Sequence, residues 1–303
     1  MKTYTIKDFD KQFPNDDACL EYLKNTRYPK GIYCEKCQKI TTHYRIANRK
    51  VYCCEFCGHT ISPTAGTIFH KSDTPLRSWF HAIFLMSATK TGISAKQLER
   101  ELGVTYKTAW RIFKQVRKLM DENANPLSGQ VEVDETYIGG KHPGTRGRGA
   151  SGKSIVMGIV ERDGNAITRV IPDVKAKTLL PMIEANVAKE GKTVVFTDEL
   201  PSYNRVEKLG YAHEVVQHAA KQYVRGTAHV NTVEAIWSTI KRGIDGVNHS
   251  VSPLYLQSYL DSYVFRYNHR KDETPMFLSL LERVCSTLKQ AEQPSLKDSR
   301  TAS

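Results

Sequence analysis

The sequence predicts a multidomain protein in which a small metal-binding ribbon and a helical domain precede an α/β domain with a mixed sheet. Two observations come from the N-terminal part: two Cys-x-x-Cys pairs lie close together, and two amphipathic helical segments separated by Gly103 follow them. The third is the order of elements within residues 128–275, where three strands come first and helices then alternate with strands. We therefore expect a ribbon with an N-terminal helix over residues 1–70, a helical domain over 71–127, the α/β domain over 128–275, and a C-terminal helix with a polar tail over 276–303.

The composition indicates ample apolar content for buried cores and an anionic partner. The chain has 303 residues, 40% of them hydrophobic, and 44 Lys and Arg against 32 Asp and Glu, which gives a net charge of +12. Such a charge favours association with a polyanion, and nucleic acid is the first candidate. The apolar runs are too short to cross a membrane, and the N-terminus lacks the apolar segment of a secretion signal. We therefore expect a cytoplasmic protein with no membrane partner.

Four cysteines in the first segment have the spacing of a zinc site. "CEKC" and "CEFC" are separated by sixteen residues, and each pair can form a tight knuckle that presents two thiolates. Four thiolates satisfy the tetrahedral preference of Zn²⁺ and leave no open position, so we expect a structural zinc rather than a catalytic one. A set of ordinary reduced cysteines is the alternative. The expected zinc ligands are Cys34, Cys37, Cys54 and Cys57.

The segment "SAKQLERELGVTYKTAWRIFKQV" has the pattern of a helix-turn-helix. Apolar residues fall where the two helices need buried contacts, Gly103 stands at the turn, and Thr105 can cap the second helix. Basic residues recur along the second helix at steps of four, three and four, which places them on one side, suited to DNA phosphates or base edges. A helical hairpin with solvated charges is the alternative. This basic stripe consists of Lys107, Arg111, Lys114 and Lys118.

The third segment alternates strands and helices in an informative order. "GQVEVDETYIG" has the alternation of a strand, and "SIVMGIVERDG" with "AITRVIPDV" predicts a hairpin through the turn at Asp163 and Gly164. Next, "AKTLLPMIEANVAKEG" predicts a helix, "KTVVFTDE" a strand, "SYNRVEKLG" a short helix, "HEVVQH" a strand and "HVNTVEAIWSTIKRG" a helix. The order β-β-β-α-β-α-β-α is that of ribonuclease H-like domains, in which helices flank a mixed sheet.

Three acidic residues are expected to converge in this domain. Asp134 lies in the first strand and Asp198 at the end of the fourth, which are neighbours in a ribonuclease H-like sheet, and the final helix would bring Glu234 to them. Three carboxylates repel one another unless cations neutralise them, and all-oxygen ligands suit magnesium or manganese. Two such ions can activate an attacking hydroxyl and stabilise the leaving oxygen of a phosphodiester. Glu135 is assigned to the opposite face of its strand.

The helix that carries Glu234 is predicted to have a polar and an apolar side. The polar side is either a solvated surface or part of the site, and in the second case Lys241 would hold a DNA phosphate about 10 Å farther along the axis. The polar stripe is Asn231, Glu234, Ser238 and Lys241, and the apolar stripe is Val233, Trp237, Ile240 and Ile244.

A glycine-rich basic segment, "GGKHPGTRGRGASGK", connects the first two strands of the α/β domain. It has six glycines, four Lys or Arg, and no acidic residue, which suits contact with a DNA backbone beside the metal site. A simple flexible hairpin connection is the alternative. The basic residues are Lys141, Arg146, Arg148 and Lys153.

With these motifs in order, the chain resembles bacterial insertion-sequence transposases of the DDE type, in the branch with an N-terminal zinc ribbon. The likeness runs from "RYPKGIYCEKC" through "KTGISAKQLERELGVTYKTAW", "VEVDETYIGGK" and "VVFTDELPSYNRV" to "HVNTVEAIWSTIKRG". It places the family's three acids on Asp134, Asp198 and Glu234 and its following basic residue on Lys241. Asn231, one turn before Glu234, is the alternative third ligand.

The resemblance implies an activity on double-stranded DNA. We expect metal-dependent cleavage at the terminal inverted repeats of an insertion sequence and joining of the 3' ends to target DNA, by a homo-oligomer on paired ends, in the bacterial cytoplasm and associated with the nucleoid. A structure-selective nuclease or resolvase of the same fold would cut without joining. A zinc-ribbon DNA-binding regulator with an inactive third domain is a further alternative, against which the intact set of acids argues.

Overall fold

The computed structural model describes residues 4–122, 125–140, 152–189, 191, 193–216 and 229–289. The chain divides into two compact units. The first contains residues 1–88, 95–119 and 272–303, and the second contains residues 89–94 and 120–271. Within the described ranges, no helix combines the length and apolar character that a membrane span requires.

The first unit begins with two short helices and a cysteine-bearing ribbon. Helix α1 (Ile6–Gln12) starts with a capping box between Thr5 and Asp8, and helix α2 (Asp16–Arg27) is capped by the Asn15 side chain. The ribbon has two small antiparallel sheets, one made of two strands and one made of three. Its strands are β1 (Ile32–Cys34), β2 (Lys39–Thr41), β3 (His43–Arg45), β4 (Tyr52–Cys54) and β5 (Thr60–Ile61).

Three helices follow the ribbon. Helix α3 (Leu76–Ala88) buries most of its residues, which fits its strongly apolar sequence. Helices α4 (Ala95–Leu102) and α5 (Tyr106–Leu119) are amphipathic, and Gly103 between them has a φ of 62°, the left-handed conformation that ends α4. The predicted pair of helices with a turn at Gly103 is therefore present.

The second unit is built on a five-stranded mixed sheet. Strands β6 (Gln130–Ile138), β7 (Ser154–Glu161) and β8 (Ala166–Ile171) are antiparallel, whereas β9 (Val194–Thr197) and β10 (Ala212–Val215) run parallel to β6. The order across the sheet is β10-β9-β6-β7-β8. The predicted neighbourhood of the first and fourth strands of this domain, β6 and β9, is confirmed.

Helices cover both faces of this sheet. Helix α6 (Ala176–Asn186) packs with the apolar residues of one face, and helices α7 (Asn231–Gly243) and α8 (Pro253–Asn268) pack with those of the other. A π-helical segment, Ile244–Asn248, continues α7. Strand β6 therefore presents Val131 and Val133 to the α6 side and its even-numbered neighbours to the α7 side.

One predicted element differs in kind. The short helix expected over "SYNRVEKLG" is two 3₁₀ turns, Pro201–Tyr203 and Glu207–Leu209. A stretch this short gains little from an α-helical nucleus, and Gly210, with a φ of 90°, ends the second turn. The connection from β9 to β10 therefore stays compact without a crossover α-helix.

The final helix, α9 (Met276–Lys289), belongs to the first unit. Its Phe277 ring lies 5.2 Å from the ring of Tyr4, 5.7 Å from Phe9 and 5.8 Å from Phe84, measured between centroids. The core of the first unit thus combines residues from both ends of the chain. The predicted polar tail, from residue 290 on, lies outside the described residues.

Candidate active site

Strand pairing brings the first two acidic residues to the same level of the sheet. In the parallel pair of β6 and β9, Gln130 is opposite Val194 and Glu132 is opposite Phe196. The same register, continued by two residues, sets Asp134 opposite Asp198, just beyond the end of β9. The side chain of Asp198 is buried, and its Oδ1 accepts a hydrogen bond from the backbone nitrogen of Leu200, at 3.0 Å.

Helix α7 has the two sides that its spacing predicts. Its apolar stripe is buried, since Val233, Trp237, Ile240 and Ile244 have relative exposures of 0, 4, 0 and 4%. Its polar stripe, made of Asn231, Glu234, Ser238 and Lys241, is exposed. The helix therefore presents Glu234 and Lys241 to solvent.

The electrostatics of Asp134 link it to the two other acids. The pKa of Asp134 is raised from 3.8 to about 6, mainly by burial; hydrogen bonds from Trp237 and from the backbone of Glu135 lower it, and the nearby carboxylates of Asp198 and Glu234 raise it. Asp198 and Glu234 thus lie close enough to Asp134 for their charges to act on it. A cation bound there would favour the charged form of Asp134.

Trp237 contacts the first acid directly. Its indole Nε1 donates a hydrogen bond to Asp134 Oδ2 at 2.9 Å. Gly158, opposite Asp134 on β7, makes room for the ring, because a Cβ at Gly158 would lie 2.6 Å from Trp237 Cζ2. The sequence pattern assigned Trp237 only to the apolar stripe, and nothing in the spacing indicated its contact with Asp134.

Glu132 is a further residue of this site that the sequence interpretation missed. Its side chain is fully buried, two residues before Asp134 on the same face of β6. Its Oε2 accepts hydrogen bonds from the backbone nitrogens of Thr232 and Val233, at 2.8 and 3.0 Å, and its Oε1 accepts one from Thr232 Oγ1 at 2.9 Å. The first turn of α7 has no side-chain cap of its own from Val230, so Glu132 supplies the acceptor that the helix end requires.

Arg162 also contacts Glu132, as does His229, whose Nδ1 lies 3.1 Å from Glu132 Oε1. The Nε of Arg162 donates to Glu132 Oε1 at 2.7 Å, its Nη2 donates to the carbonyl of His229 at 2.7 Å, and its guanidinium stacks on the Phe196 ring at 4.1 Å. Burial of a glutamate is tolerated when its charge is paired and its oxygens are hydrogen-bonded, as they are here. The only signal in the sequence was an acid at an inward position between two valines of a predicted strand.

Glu135 lies on the other face of β6, as predicted. Its Oε2 accepts a hydrogen bond from Tyr203 Oη at 2.9 Å, on the side of the sheet that α6 covers. The neighbouring carboxylates thus have different hydrogen-bond partners, Trp237 of α7 for Asp134 and Tyr203 for Glu135.

The four predicted zinc ligands form a cluster in the first unit. The Sγ atoms of Cys34, Cys37, Cys54 and Cys57 all lie within 4.8 Å of one another. Among the described residues, this is the group of potential ligands that meets this limit; the three acids of the second unit do not approach one another so closely. Cys54, and not the adjacent Cys53, belongs to the cluster, as its spacing predicts. Four converging sulfur atoms fit the tetrahedral preference of Zn²⁺.

The basic stripe of α5 is exposed, and Thr105 is positioned at the start of the helix. The Oγ1 of Thr105 accepts a hydrogen bond from the backbone nitrogen of Thr108 at 3.4 Å. Residues of the apolar side, such as Ala109 and Ile112, are fully buried. The exposed basic residues are Lys107, Arg111, Lys114 and Lys118.

The glycine-rich basic segment between β6 and β7 is largely beyond the described residues. Lys141, Arg146 and Arg148 lie outside them, and Lys153 is half-buried just before β7. The predicted role of this segment in holding DNA stays a prediction.

Two family models match this chain. Residues 126–268 match an ISXO2-like transposase domain, and residues 14–60 match a transposase zinc-ribbon domain. The first range contains Asp134, Asp198 and Glu234, and the second contains the four clustered cysteines.

Two relatives and one solved structure add to this comparison. A protein in transposable element ISH50 of Halobacterium salinarum is 30% identical over 277 residues, which cover 84% of this chain and 92% of the relative. A transposase-like protein of Haemophilus influenzae is 25% identical over 117 residues, 39% of this chain and 90% of the relative. The catalytic core domain of BIV integrase is 15% identical, with a TM-score of 0.32, over 53% of this chain and 98% of the integrase domain.

Proposed function

The chain belongs to the family of transposases with a zinc ribbon and an ISXO2-like transposase domain, and from that premise we propose that it binds the terminal inverted repeats of an insertion sequence and catalyses strand cleavage and strand transfer. The observation that carries the proposal is the set of acids. Asp134 on β6 is level with Asp198, just beyond the end of the neighbouring strand β9, and the carboxylate of Glu234 acts on the pKa of Asp134 from helix α7.

The donor set fits magnesium or manganese. Asp134, Asp198 and Glu234 would hold the metal, since carboxylate oxygens are the ligands that these cations prefer. When bound, two such ions would activate the attacking water or 3'-hydroxyl and stabilise the leaving oxygen. The raised pKa of Asp134 supports a role in binding a cation, because partial burial and the two nearby carboxylates disfavour its charged form, which a cation would stabilise.

The neighbouring residues would orient these ligands. Trp237 fixes one oxygen of Asp134 through its indole N–H. Glu132 fixes the first turn of α7 and thereby the position of Glu234 relative to the sheet. Lys241, two turns after Glu234 on the same exposed side, would bind a phosphate of the DNA end.

The first unit would bind DNA. Zinc bound by Cys34, Cys37, Cys54 and Cys57 would stabilise the ribbon and take no part in the chemistry, because all four positions are filled by protein. Helices α4 and α5 would act as a helix-turn-helix with the basic stripe of α5 on the DNA. Two copies of the chain would hold two element ends together, and the protein would be found with the nucleoid.

A supercoiled plasmid that carries the inverted repeats flanking the coding sequence tests this function. With magnesium, the parent protein is expected to cleave the ends and join them to target DNA. Asp134→Ala and Asp198→Ala are expected to bind the ends as the parent does and to cleave nothing. Cleavage without joining would assign a nuclease or resolvase instead, and binding without any cleavage would assign a regulator.

The third ligand is tested on α7. Glu234→Gln is expected to abolish cleavage at every metal concentration, whereas Asn231→Ala is expected to retain most of it. Lys241→Ala is expected to leave partial activity that falls steeply with added salt, since it removes a phosphate contact. If Asn231 is the third ligand, Asn231→Ala abolishes cleavage and Glu234→Gln retains most of it. If all three variants act like the parent, the polar stripe is only a solvated surface.

A further inference from the structure

A cavity of about 270 Å³ lies in the first unit beside helix α5. The turn formed by residues 66–70, after the ribbon, makes one wall, and Trp79, Arg111 and Gln115 make the other. Among the described residues that line this cavity, none is acidic. The arginine, the histidine and the amide of this lining form a set of hydrogen-bond donors suited to an anion.

Arg111 is held in place before any ligand binds. Its Nη2 donates a hydrogen bond to Ser72 Oγ at 2.7 Å, and its guanidinium carbon lies 5.4 Å from the centre of the Trp79 ring. Trp79 Nε1 donates to the same Ser72 Oγ at 3.0 Å, and both Ser72 and Trp79 are buried. A guanidinium has five N–H donors in a rigid plane, so one fixed contact leaves the fork able to bind an oxyanion with little further loss of entropy.

His70 faces this arginine with a defined donor. Its Nδ1 accepts a hydrogen bond from the backbone nitrogen of Gly66 at 2.7 Å, so the ring proton of the neutral imidazole is on Nε2. Gln115 follows Arg111 by four residues and therefore lies on the same side of α5. Donors from two separate segments of the first unit thus surround the cavity.

We propose that this cavity binds one backbone phosphate of the DNA, held by Arg111, Gln115 and His70. The inference rests on the proposed function, since it takes DNA as the partner of the first unit. A DNA phosphate is favoured over a free anion because the cavity opens beside the helix that carries Lys107, Lys114 and Lys118. A planar arginine fork binds phosphate oxygens in pairs, whereas those lysines act as mobile point charges. The contact would fix the register of α5 on the duplex without reading the sequence.

The test uses the full chain and a set of terminal-repeat duplexes in which single phosphodiesters are replaced, one at a time, by uncharged methylphosphonates. For the parent protein, one linkage is expected to weaken binding roughly tenfold or more when neutralised, as for a charge-assisted hydrogen bond. The same replacement is expected to have no further effect on Arg111→Ala. Lys107→Ala, on the same helix but outside the cavity, is the matched control and should stay sensitive to that linkage.

A variant of Gln115 distinguishes binding in the cavity from the general effect of the positive charge of Arg111. Gln115→Leu replaces the amide with an apolar side chain of similar size and keeps Arg111, so it is expected to reduce the effect of the same linkage while leaving the salt dependence of binding close to that of the parent. Arg111→Lys keeps the positive charge, so its salt dependence of binding is expected to match that of the parent. It lacks the planar fork, so neutralising the single linkage is expected to have no further effect on its binding. Thermal unfolding of each variant verifies that the first unit is folded.

Three other outcomes would contradict either the phosphate-binding proposal or the proposed function. If every linkage matters equally to the parent and to Arg111→Ala, the cavity binds no particular phosphate and the proposal fails, although DNA binding and the proposed function stand. If inorganic phosphate binds in an Arg111-dependent way and no single linkage matters, the cavity holds a free anion instead. If the parent binds terminal-repeat and unrelated duplexes equally, the proposed function loses its recognition step.

Discussion

Trp237 Nε1 lies 2.9 Å from Asp134 Oδ2, so the buried side of helix α7 and the first acid of the candidate site are joined by one hydrogen bond. The exposed side of the same helix carries Glu234. A single helix therefore supports the first acid from its apolar side and supplies another acid from its polar side.

Removing this hydrogen bond should change the pH dependence of the reaction. Trp237→Phe keeps an aromatic ring and loses the N–H donor, which lowers the pKa of Asp134 at present. The pKa of Asp134 should then rise above about 6, and the acidic limb of the cleavage profile should move to higher pH. Cleavage rates measured across pH at a subsaturating metal concentration, where the proton competes with the cation for Asp134, test this, with Trp110→Phe in the first unit as control. An unchanged profile would show that the contact has no influence on the acid.

The charge of Asp134 should destabilise the protein when no metal is bound. Its pKa is raised from 3.8 to about 6, so the folded state binds the proton more tightly than the unfolded state, and the penalty is fully present above the folded pKa and fades as the pH falls towards 3.8. Asp134→Asn should therefore raise the free energy of unfolding by about 2–3 kcal/mol at neutral pH, on the basis of about 1.4 kcal/mol per pKa unit.

Urea unfolding of the chelated protein at a series of pH values measures this difference. Asp163→Asn is the matched control, because the Asp163 side chain is fully exposed and its neutralisation should change stability little at any pH. A gap between Asp134→Asn and the parent that grows towards acidic pH would contradict the assignment.

Glu132 should affect metal use through helix α7. Glu132→Gln keeps the shape of the side chain and loses the charge that Arg162 and the start of α7 contact, which should reduce stability by about 3 kcal/mol, as for a broken buried ion pair. A less constrained first turn of α7 should also raise the metal concentration needed for half-maximal cleavage. Metal titrations of cleavage by folded protein test this.

Two further variants separate the effect of Glu132 from a general loss of stability. Thr232→Val removes one donor to Glu132 Oε1 and is expected to give a smaller shift in the same direction. Glu135→Gln, on the opposite face of the same strand, should lower stability without changing the metal requirement. Equal metal requirements for all of these variants and the parent would reduce Glu132 to a structural residue.

Gly158 should accept no side chain. In Gly158→Ala the new Cβ would lie 2.6 Å from Trp237 Cζ2 and 3.1 Å from Val233 Cγ2. We expect a loss of about 1–3 kcal/mol, typical of overpacking, together with a loss of cleavage as Trp237 moves from Asp134. Gly246→Ala is the control, since a Cβ there meets nothing within 4 Å. Denaturant unfolding and the plasmid assay measure the two effects.

The cysteine cluster should stabilise the first unit through zinc. Cys54→Ser, or chelation of the parent, should lower the thermal stability of this unit and release one zinc ion per chain. Cys53→Ser is a close control, because Cys53 is adjacent in sequence and does not belong to the cluster. Metal analysis of the purified protein that finds no zinc would overturn this prediction.

The local spacing of apolar and polar residues predicted much of the secondary structure, because that spacing depends on which face of a helix or strand is buried. The alternation of β6, the hairpin between β7 and β8, the two sides of α7 and the paired cysteines were all evident from residues a few positions apart. The element order then indicated which strands are neighbours, and with them the approach of Asp134 to Asp198.

The missed features depend on distant partners. Glu132 contacts Arg162 across 30 residues and Thr232 across 100, and Trp237 contacts Asp134 across 103. A buried glutamate and a tryptophan in an apolar stripe have no local pattern that reveals such partners. The 3₁₀ turns after β9 were missed for a different reason, since nine residues are too few for periodicity to distinguish them from an α-helix.

The contribution of helix α9 to the first unit has a consequence for how the protein is made. A ribosome completes the chain from the N-terminus, so the residues of the second unit emerge before Phe277 can pack against Tyr4, Phe9 and Phe84. An incomplete chain that ends before α9 therefore leaves these rings without part of their core. The core of the first unit is therefore completed only after translation has passed α9, Met276–Lys289, when the whole second unit has already been made.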